Sequence, residues 1–153
     1  MNEISLQILA SLKIVWIAVF TLFYGLGGTI NKSLRRFVGA LWALAGIILF
    51  SILAKDFSYW YLLYAPLLIG ALSLGYGGQT FGEKIRKRLI CGTAYALTAI
   101  PIAIVTGQWL LFGIHSAICV SFSILLGVFN PIPARSEETL IAVSITMIPL
   151  FMV

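Results

Sequence analysis

Six stretches of almost uninterrupted apolar residues divide the chain, and short polar connections separate them. The stretches cover residues 4–24, 37–54, 58–76, 89–105, 109–129 and 139–153. Strands of a membrane barrel alternate apolar and polar side chains over about ten residues, whereas these stretches are apolar at nearly every position. A helix needs about 20 residues to cross the core of a bilayer. The pattern therefore predicts an all-α protein with six transmembrane helices, the last of them short.

Composition supports an integral membrane protein. Of the 153 residues, 61% are hydrophobic and 10% are charged, and the mean hydropathy is +1.06. Soluble domains are about half apolar and about a quarter charged, so the composition argues against a soluble enzyme. Six spans leave no room for a separate soluble domain, and residues 1–153 are predicted to form one transmembrane domain. The N-terminal stretch lacks the basic start and small-residue end of a secretory signal, so we expect it to be retained.

Parts of the chain resemble one another. A glycine motif, Tyr24-Gly25-Leu26-Gly27-Gly28, recurs as Gly75-Tyr76-Gly77-Gly78, and a basic cluster follows each copy. If the second connection is three residues longer, Gly39, Trp42, Ala43, Leu44 and Ile47 correspond to Gly92, Tyr95, Ala96, Leu97 and Ile100. Gly127 and Arg135 suggest a fainter third copy. These echoes predict three like-oriented helical hairpins, 4–54, 58–105 and 109–153. In the alternative, glycine and basic residues recur at cytoplasmic helix ends without any duplication.

The basic residues suggest an orientation. Eight of the ten fall in the connections after the first, third and fifth stretches: Lys32, Arg35, Arg36, Lys84, Arg86, Lys87, Arg88 and Arg135. Since lysine and arginine concentrate in cytoplasmic loops, both termini are predicted to lie outside a bacterial-type inner membrane. The formal charge of +5 then faces the anionic lipids of the inner leaflet, the expected lipid partner. The sequence contains no basic groove with interleaved aromatic residues, so we do not expect nucleic-acid binding.

Polar residues in the fifth stretch are candidates for function, because polar groups at membrane depth are costly. They are His115, Ser116, Cys119, Ser121 and Ser123. One interpretation makes His115 part of a proton relay or a pore lining. The other makes it a neutral histidine that is hydrogen-bonded to a neighbouring helix. Both cysteines, at 91 and 119, are expected to be small packing residues.

The segment 130–138 carries the densest polar sequence. Ser136 is predicted to cap the last helix, so that Glu137 and Glu138 lie in its first turn, where the helix dipole favours negative charge. Alternatively, one of the two glutamates pairs with Arg35 and Arg36, or with the basic cluster at 84–88, and so ties the third hairpin to the other two.

Two features concern the shape of the helices. Residues 1–12 are expected to lie in the interface as an amphipathic helix, with Lys13 extending outward; in the alternative, the first span starts at Ile4 and Lys13 needs a partner. Pro66 and Pro101 are expected to kink their spans. Stripes of small residues predict close helix contacts: Gly39, Ala43 and Gly46; Gly92, Ala96, Ala99 and Ala103; Gly113, Ala117 and Ser121.

These features favour a channel, pore or transporter-type protein that works as an oligomer. The alternative is a structural or accessory subunit of a larger membrane assembly, or a lysis-type pore former, without chemistry of its own. No motif for catalysis, for a cofactor or for a metal is found. An intramembrane enzyme that uses His115, or Glu137 with Glu138, is disfavoured because no nucleophile–base pair is evident.

Overall fold

The computed structural model describes residues 3–26, 30–74 and 78–153. Within these ranges the chain is helical and contains no strand. The α-helices are α1 (Glu3–Leu26), α2 (Lys32–Leu53), α3 (Tyr64–Leu72), α4 (Phe81–Leu97), α5 (Ile100–Thr106), α6 (Trp109–Phe129) and α7 (Ala134–Met152), and a 3-10 helix, Tyr59–Leu63, precedes α3. Residues 27–28 and 75–77, which make up most of the two predicted glycine motifs, lie outside the described residues.

Four helices are long and apolar enough to cross a membrane: Ser5–Gly25, Lys32–Leu53, Phe81–Thr106 and Trp109–Phe129. The third predicted span is a shorter apolar helix, Tyr59–Leu72. The sixth, α7, has 19 residues, and its beginning carries Arg135, Glu137 and Glu138. The described chain is therefore all-helical and consistent with a location in a membrane.

The basic clusters lie within helices, and their predicted placement in loops was wrong. Helix α2 begins at Lys32 because the Asn31 side chain accepts a hydrogen bond from the Ser33 backbone amide at 2.9 Å. Helix α4 begins at Phe81 because Thr80 and Glu83 form a capping box. Such caps satisfy amide groups that the helix itself leaves unpaired. The first turns of α2 and α4 are polar and so lie outside the apolar stretches. For this reason both helix starts were predicted too late in the sequence.

The two prolines act differently. Pro101 has no amide hydrogen to donate to the carbonyl of Leu97, and the helix is interrupted there, with α4 ending at Leu97 and α5 beginning at Ile100. Near Pro66 the apolar helix Tyr59–Leu72 changes from its 3-10 segment, Tyr59–Leu63, to α3, which begins at Tyr64. Pro66 therefore lies in the first turn of α3.

Contacts between side chains and backbone define the two ends of the bundle. At one end, which we call the basic end, the Arg135 guanidinium donates to the Gly25 carbonyl. At the opposite end, Gln108 Nε2 donates to the Met152 carbonyl at 3.2 Å. Between the ends, α1 packs against α2 and α7, α3 against α2 and α4, and α6 against α4 and α7.

Lys13 lies inside the bundle, and its predicted outward position was wrong. Helix α1 runs without a break from Glu3, so residues 3–12 do not form a separate interfacial helix. The side chain is 6% exposed, and its ammonium group donates to the main-chain oxygen of Val153. It also lies 5.8 Å from the ring centre of Phe50 and 5.6 Å from that of Phe151. These contacts supply the partners that a buried charge requires.

Two of the three small-residue stripes form close helix contacts. A β-carbon on Gly92 would lie 2.8 Å from the Val120 Cα, and one on Gly39 would lie 2.7 Å from the Tyr24 ring. The remaining members of these two stripes are buried: Ala43, Gly46, Ala96, Ala99 and Ala103. The third stripe makes no close contact within the described chain, because Gly113, Ala117 and Ser121 are exposed on α6.

Candidate functional site

At the basic end, three arginines hold the acidic start of α7. Arg35 Nη2 donates to Glu138 Oε2 at 2.7 Å, and Arg36 Nε donates to Glu138 Oε1 at 3.2 Å. Arg88 Nη1 donates to Glu137 Oε1 at 2.7 Å. The side chains of Arg35, Arg88 and Glu137 are at most 12% exposed. These pairs are therefore mostly shielded from solvent. Charge-assisted hydrogen bonds are stronger in a shielded position than in water.

The predicted pairing of α7 with the two basic clusters is found, and with it a relation that the sequence analysis missed. The register that places Gly39 on Gly92 also places Arg35 on Arg88. Both arginines form a 2.7 Å pair with adjacent glutamates of α7. Positions of α2 and α4 that the predicted repeat makes equivalent thus bind the start of α7. The signal was present in the sequence, because in each unit the glycine follows its arginine by four residues.

The surroundings hold each arginine in place. The Arg88 side chain lies directly over Gly127, where a β-carbon would collide with it, and its carbonyl accepts a hydrogen bond from Ser123 Oγ at 2.8 Å. The Arg35 guanidinium lies 5.4 Å from the ring centre of Tyr24, a cation–π distance. These three contacts connect the ion pairs to α6 and α1.

The predicted serine cap of α7 was wrong. The helix begins at Ala134, with Pro133 at the cap position and no side-chain hydrogen bond there, and Ser136 is exposed within the helix. Proline supplies the fixed backbone angle that suits a helix start, which explains the earlier beginning. Glu137 remains in the first turn, so the dipole still favours it, but its carboxylate contacts Arg88 as well.

A cavity of about 330 Å³ lies beside these pairs. Its charged lining consists of Lys32, Arg35, Arg88, Arg135, Glu137 and Glu138. Arg88 also lines a second cavity of about 180 Å³, together with Lys84 and Asn130. Arg86 is exposed and Lys87 is half-buried, and neither lines these two cavities. The structure thus brings together only part of the predicted basic cluster.

The polar residues of α6 do not form one face. His115 is completely buried and its ring nitrogens lie 3.7 Å from the Cys119 sulfur; it also has a backbone hydrogen bond with Tyr95 of α4. Ser116 Oγ donates to the Phe112 carbonyl of its own helix at 2.8 Å. Ser123 is buried against Arg88, whereas Ser121 is exposed. His115 and Cys119 therefore lie in a closed contact between α4 and α6.

A buried tyrosine within the apolar third stretch is a polar feature that was not among the predicted candidates. Tyr64 is fully buried, and its hydroxyl donates to the Ile145 carbonyl at 3.0 Å, joining α3 to α7. This carbonyl lies in the interior of α7. The only available signal was a tyrosine within an apolar stretch, which does not identify its acceptor.

The fold and the basic end together define a class, namely an all-helical protein with four helices long and apolar enough to span a membrane and a charged cavity at one end of the bundle. Comparison of the chain with protein-family models, with curated proteins and with solved structures finds no match.

Proposed function

We propose that the chain is an integral membrane protein of three like-oriented helical hairpins, and that it serves as a structural or accessory subunit without chemistry of its own. The hairpins would be α1–α2, α3 with α4 and α5, and α6–α7. Two features support the arrangement: the helices of each hairpin pack together, and each hairpin contacts the next. By the concentration of basic residues in cytoplasmic segments, the basic end would face the cytoplasm and both termini would lie outside.

The closed surroundings of His115 carry the proposal of a structural role. A conduit requires polar side chains that face an aqueous path, whereas His115 has no exposed surface and contacts Cys119 and the backbone of Tyr95. Gly92 supports this further, since the backbones of α4 and α6 approach too closely there to leave a path.

Thiol accessibility of Cys119 tests the closure directly. We would replace Cys91 with alanine, reconstitute the full chain into vesicles and add a charged methanethiosulfonate reagent. Cys119 should remain unmodified in the folded protein and react after denaturation in detergent. An R86C variant that lacks both native cysteines is the matched positive control, because Arg86 is exposed at the basic end. Rapid modification of folded Cys119 would contradict a structural role and favour a conduit.

An oligomeric pore is the second candidate, supported by the exposed face of Gly113, Ala117 and Ser121 on α6. Small residues permit close contact between helices of different chains, and the Ser121 hydroxyl would give an assembled pore a polar group. Release of an encapsulated dye from vesicles distinguishes the two functions. A structural subunit should release no dye above protein-free vesicles, whereas a pore should release it, with a rate that changes when Ser121 is replaced by leucine.

A further inference from the structure

The cavity beside the ion pairs at the basic end has more positive than negative charge in its lining. Four basic and two acidic side chains border it, a formal excess of two positive charges. Arg88 neutralises Glu137, and Arg35 together with Arg36 neutralises Glu138. Within the described residues, Lys32 and Arg135 form no ion pair, and both are exposed at the cavity. Their charges are therefore available to a ligand.

A further donor is left over in the interior. Arg35 is 7% exposed, and its Nε has no hydrogen-bond partner within the part of the chain that the structure describes. Burial of an unpaired donor costs free energy. Because Arg35 itself lines the cavity, an anion bound there would lie next to this side chain.

The type and arrangement of these groups fit phosphate. Arginine presents a planar fork of donors that matches phosphate oxygens, and lysine adds a compact charge. The volume of about 330 Å³ is within the range of small-ligand sites, about 300–1,000 Å³. Carboxylates in the lining disfavour ligands with many negative charges, so a phosphodiester or a single phosphate fits best.

We propose that this cavity binds a phosphate-bearing anion, with Lys32 and Arg135 as its main recognition residues and Arg35 as an inner donor. In a membrane, the phosphodiester of an anionic lipid headgroup would supply this chemistry, since basic pockets between helices near the surface bind such headgroups. The choice of lipid as the source rests on the proposed membrane embedding, whereas the phosphate chemistry rests on the cavity alone.

Native mass spectrometry of the delipidated full chain in a neutral detergent tests the proposal. The probes are dioleoylphosphatidylglycerol, the zwitterionic dioleoylphosphatidylcholine, and inorganic phosphate. The variant K32Q/R135Q removes two charges from the cavity, and the matched control R86Q/K87Q removes two charges at the same end outside it. K32Q alone is the second variant, because within the described residues the Lys32 side chain forms no hydrogen bond or ion pair, whereas Arg135 donates to the Gly25 carbonyl.

We expect one phosphatidylglycerol to bind per chain, with preference over phosphatidylcholine. Affinity should fall about tenfold or more in K32Q/R135Q, less in K32Q, and less than about twofold in the control, since each charged hydrogen bond contributes a factor of this order. Binding of inorganic phosphate with the same dependence on the variants would support the site and identify soluble phosphate as its source.

Two results would overturn the proposal: equal weakening by both double variants, which indicates diffuse attraction, or no phosphate-dependent binding by the wild-type chain. Extraction of membranes with alkaline carbonate is measured in parallel. A chain that is extracted would contradict the proposed membrane function, whereas a retained chain without selective binding would contradict only the phosphate site.

Discussion

The basic end and the contact between α4 and α6 are both rich in polar residues, but they differ in how these residues are used. At the basic end, Glu137 and Glu138 meet three arginines beside a cavity of about 330 Å³. Around His115 the side chains of His115 and Cys119 contact each other in a buried position without a charged partner among the described residues. Polar residues in a sequence therefore do not by themselves indicate a conduit. The two regions differ because charged side chains border an open cavity at the basic end, whereas His115 and Cys119 are buried in a helix contact.

The two regions also hold their helices together in different ways. Between α4 and α6, Gly92 lets the backbones approach, and the stabilisation comes from packing. At the basic end the helices α2, α4 and α7 meet through charges, which depend on both partners being present. Removing one charge should therefore be more damaging than removing one neutral polar group.

The largest effect is expected from E138A. The change leaves Arg35, a buried arginine, without its carboxylate, and loss of one partner of a buried pair costs about 3 kcal/mol or more. Thermal unfolding in detergent measures the effect. The control D56N removes an acid that is exposed after α2, and it should leave the midpoint unchanged. Equal midpoints for E138A and the wild type would show that the pair contributes no stability.

A smaller effect is expected from G92A. Its β-carbon would meet the Val120 backbone at 2.8 Å, and overpacking of this kind costs about 1–3 kcal/mol. The matched control is G113A, since nothing lies within 4 Å of a β-carbon there, and alanine in place of glycine should stabilise the helix by about 1 kcal/mol or less. Opposite shifts of the unfolding midpoint are predicted. Shifts of the same sign and size would contradict the assigned faces of α4 and α6.

The smallest effect is expected from S121A and R86Q. Both side chains are exposed, and substitutions at such positions change the free energy of unfolding by about 0.5 kcal/mol or less. The same unfolding assay applies to both. A destabilisation by S121A as large as that of G92A would indicate that Ser121 is buried in an oligomer, and the purified chain should then change in apparent size on dilution.

Much of the helical structure was predictable from the apolar pattern. The fifth stretch coincides with α6 over Trp109–Phe129. Gly107 and Gln108 precede this helix, and Asn130, which has a left-handed backbone conformation, ends it. The helix starts at Lys32 and Phe81 were not predicted, because side-chain caps at Asn31 and Thr80 determine them. Local hydrogen bonds of this kind are not visible in hydropathy.

The candidate site was predictable in part. The meeting of the glutamates with the basic clusters followed from their predicted placement on one side of a membrane. The assignment of Glu137 to Arg88 and of Glu138 to Arg35 depends on tertiary packing. The inward position of Lys13 likewise depends on Val153 and Phe151, which are about 140 residues away along the chain. Sequence periodicity does not encode such distant partners.

Arg35 and Arg88, which the predicted repeat makes equivalent, bind α7 directly, and a double-mutant cycle between Arg88 and Glu137 tests this binding most directly. The variants R88Q, E137Q and R88Q/E137Q are compared with the wild type by thermal unfolding of the full chain in detergent. Because the two groups lie 2.7 Å apart and are mostly buried, we predict a coupling free energy of about 1 kcal/mol or more. Additive effects of the two substitutions, with a coupling near zero, would contradict the account.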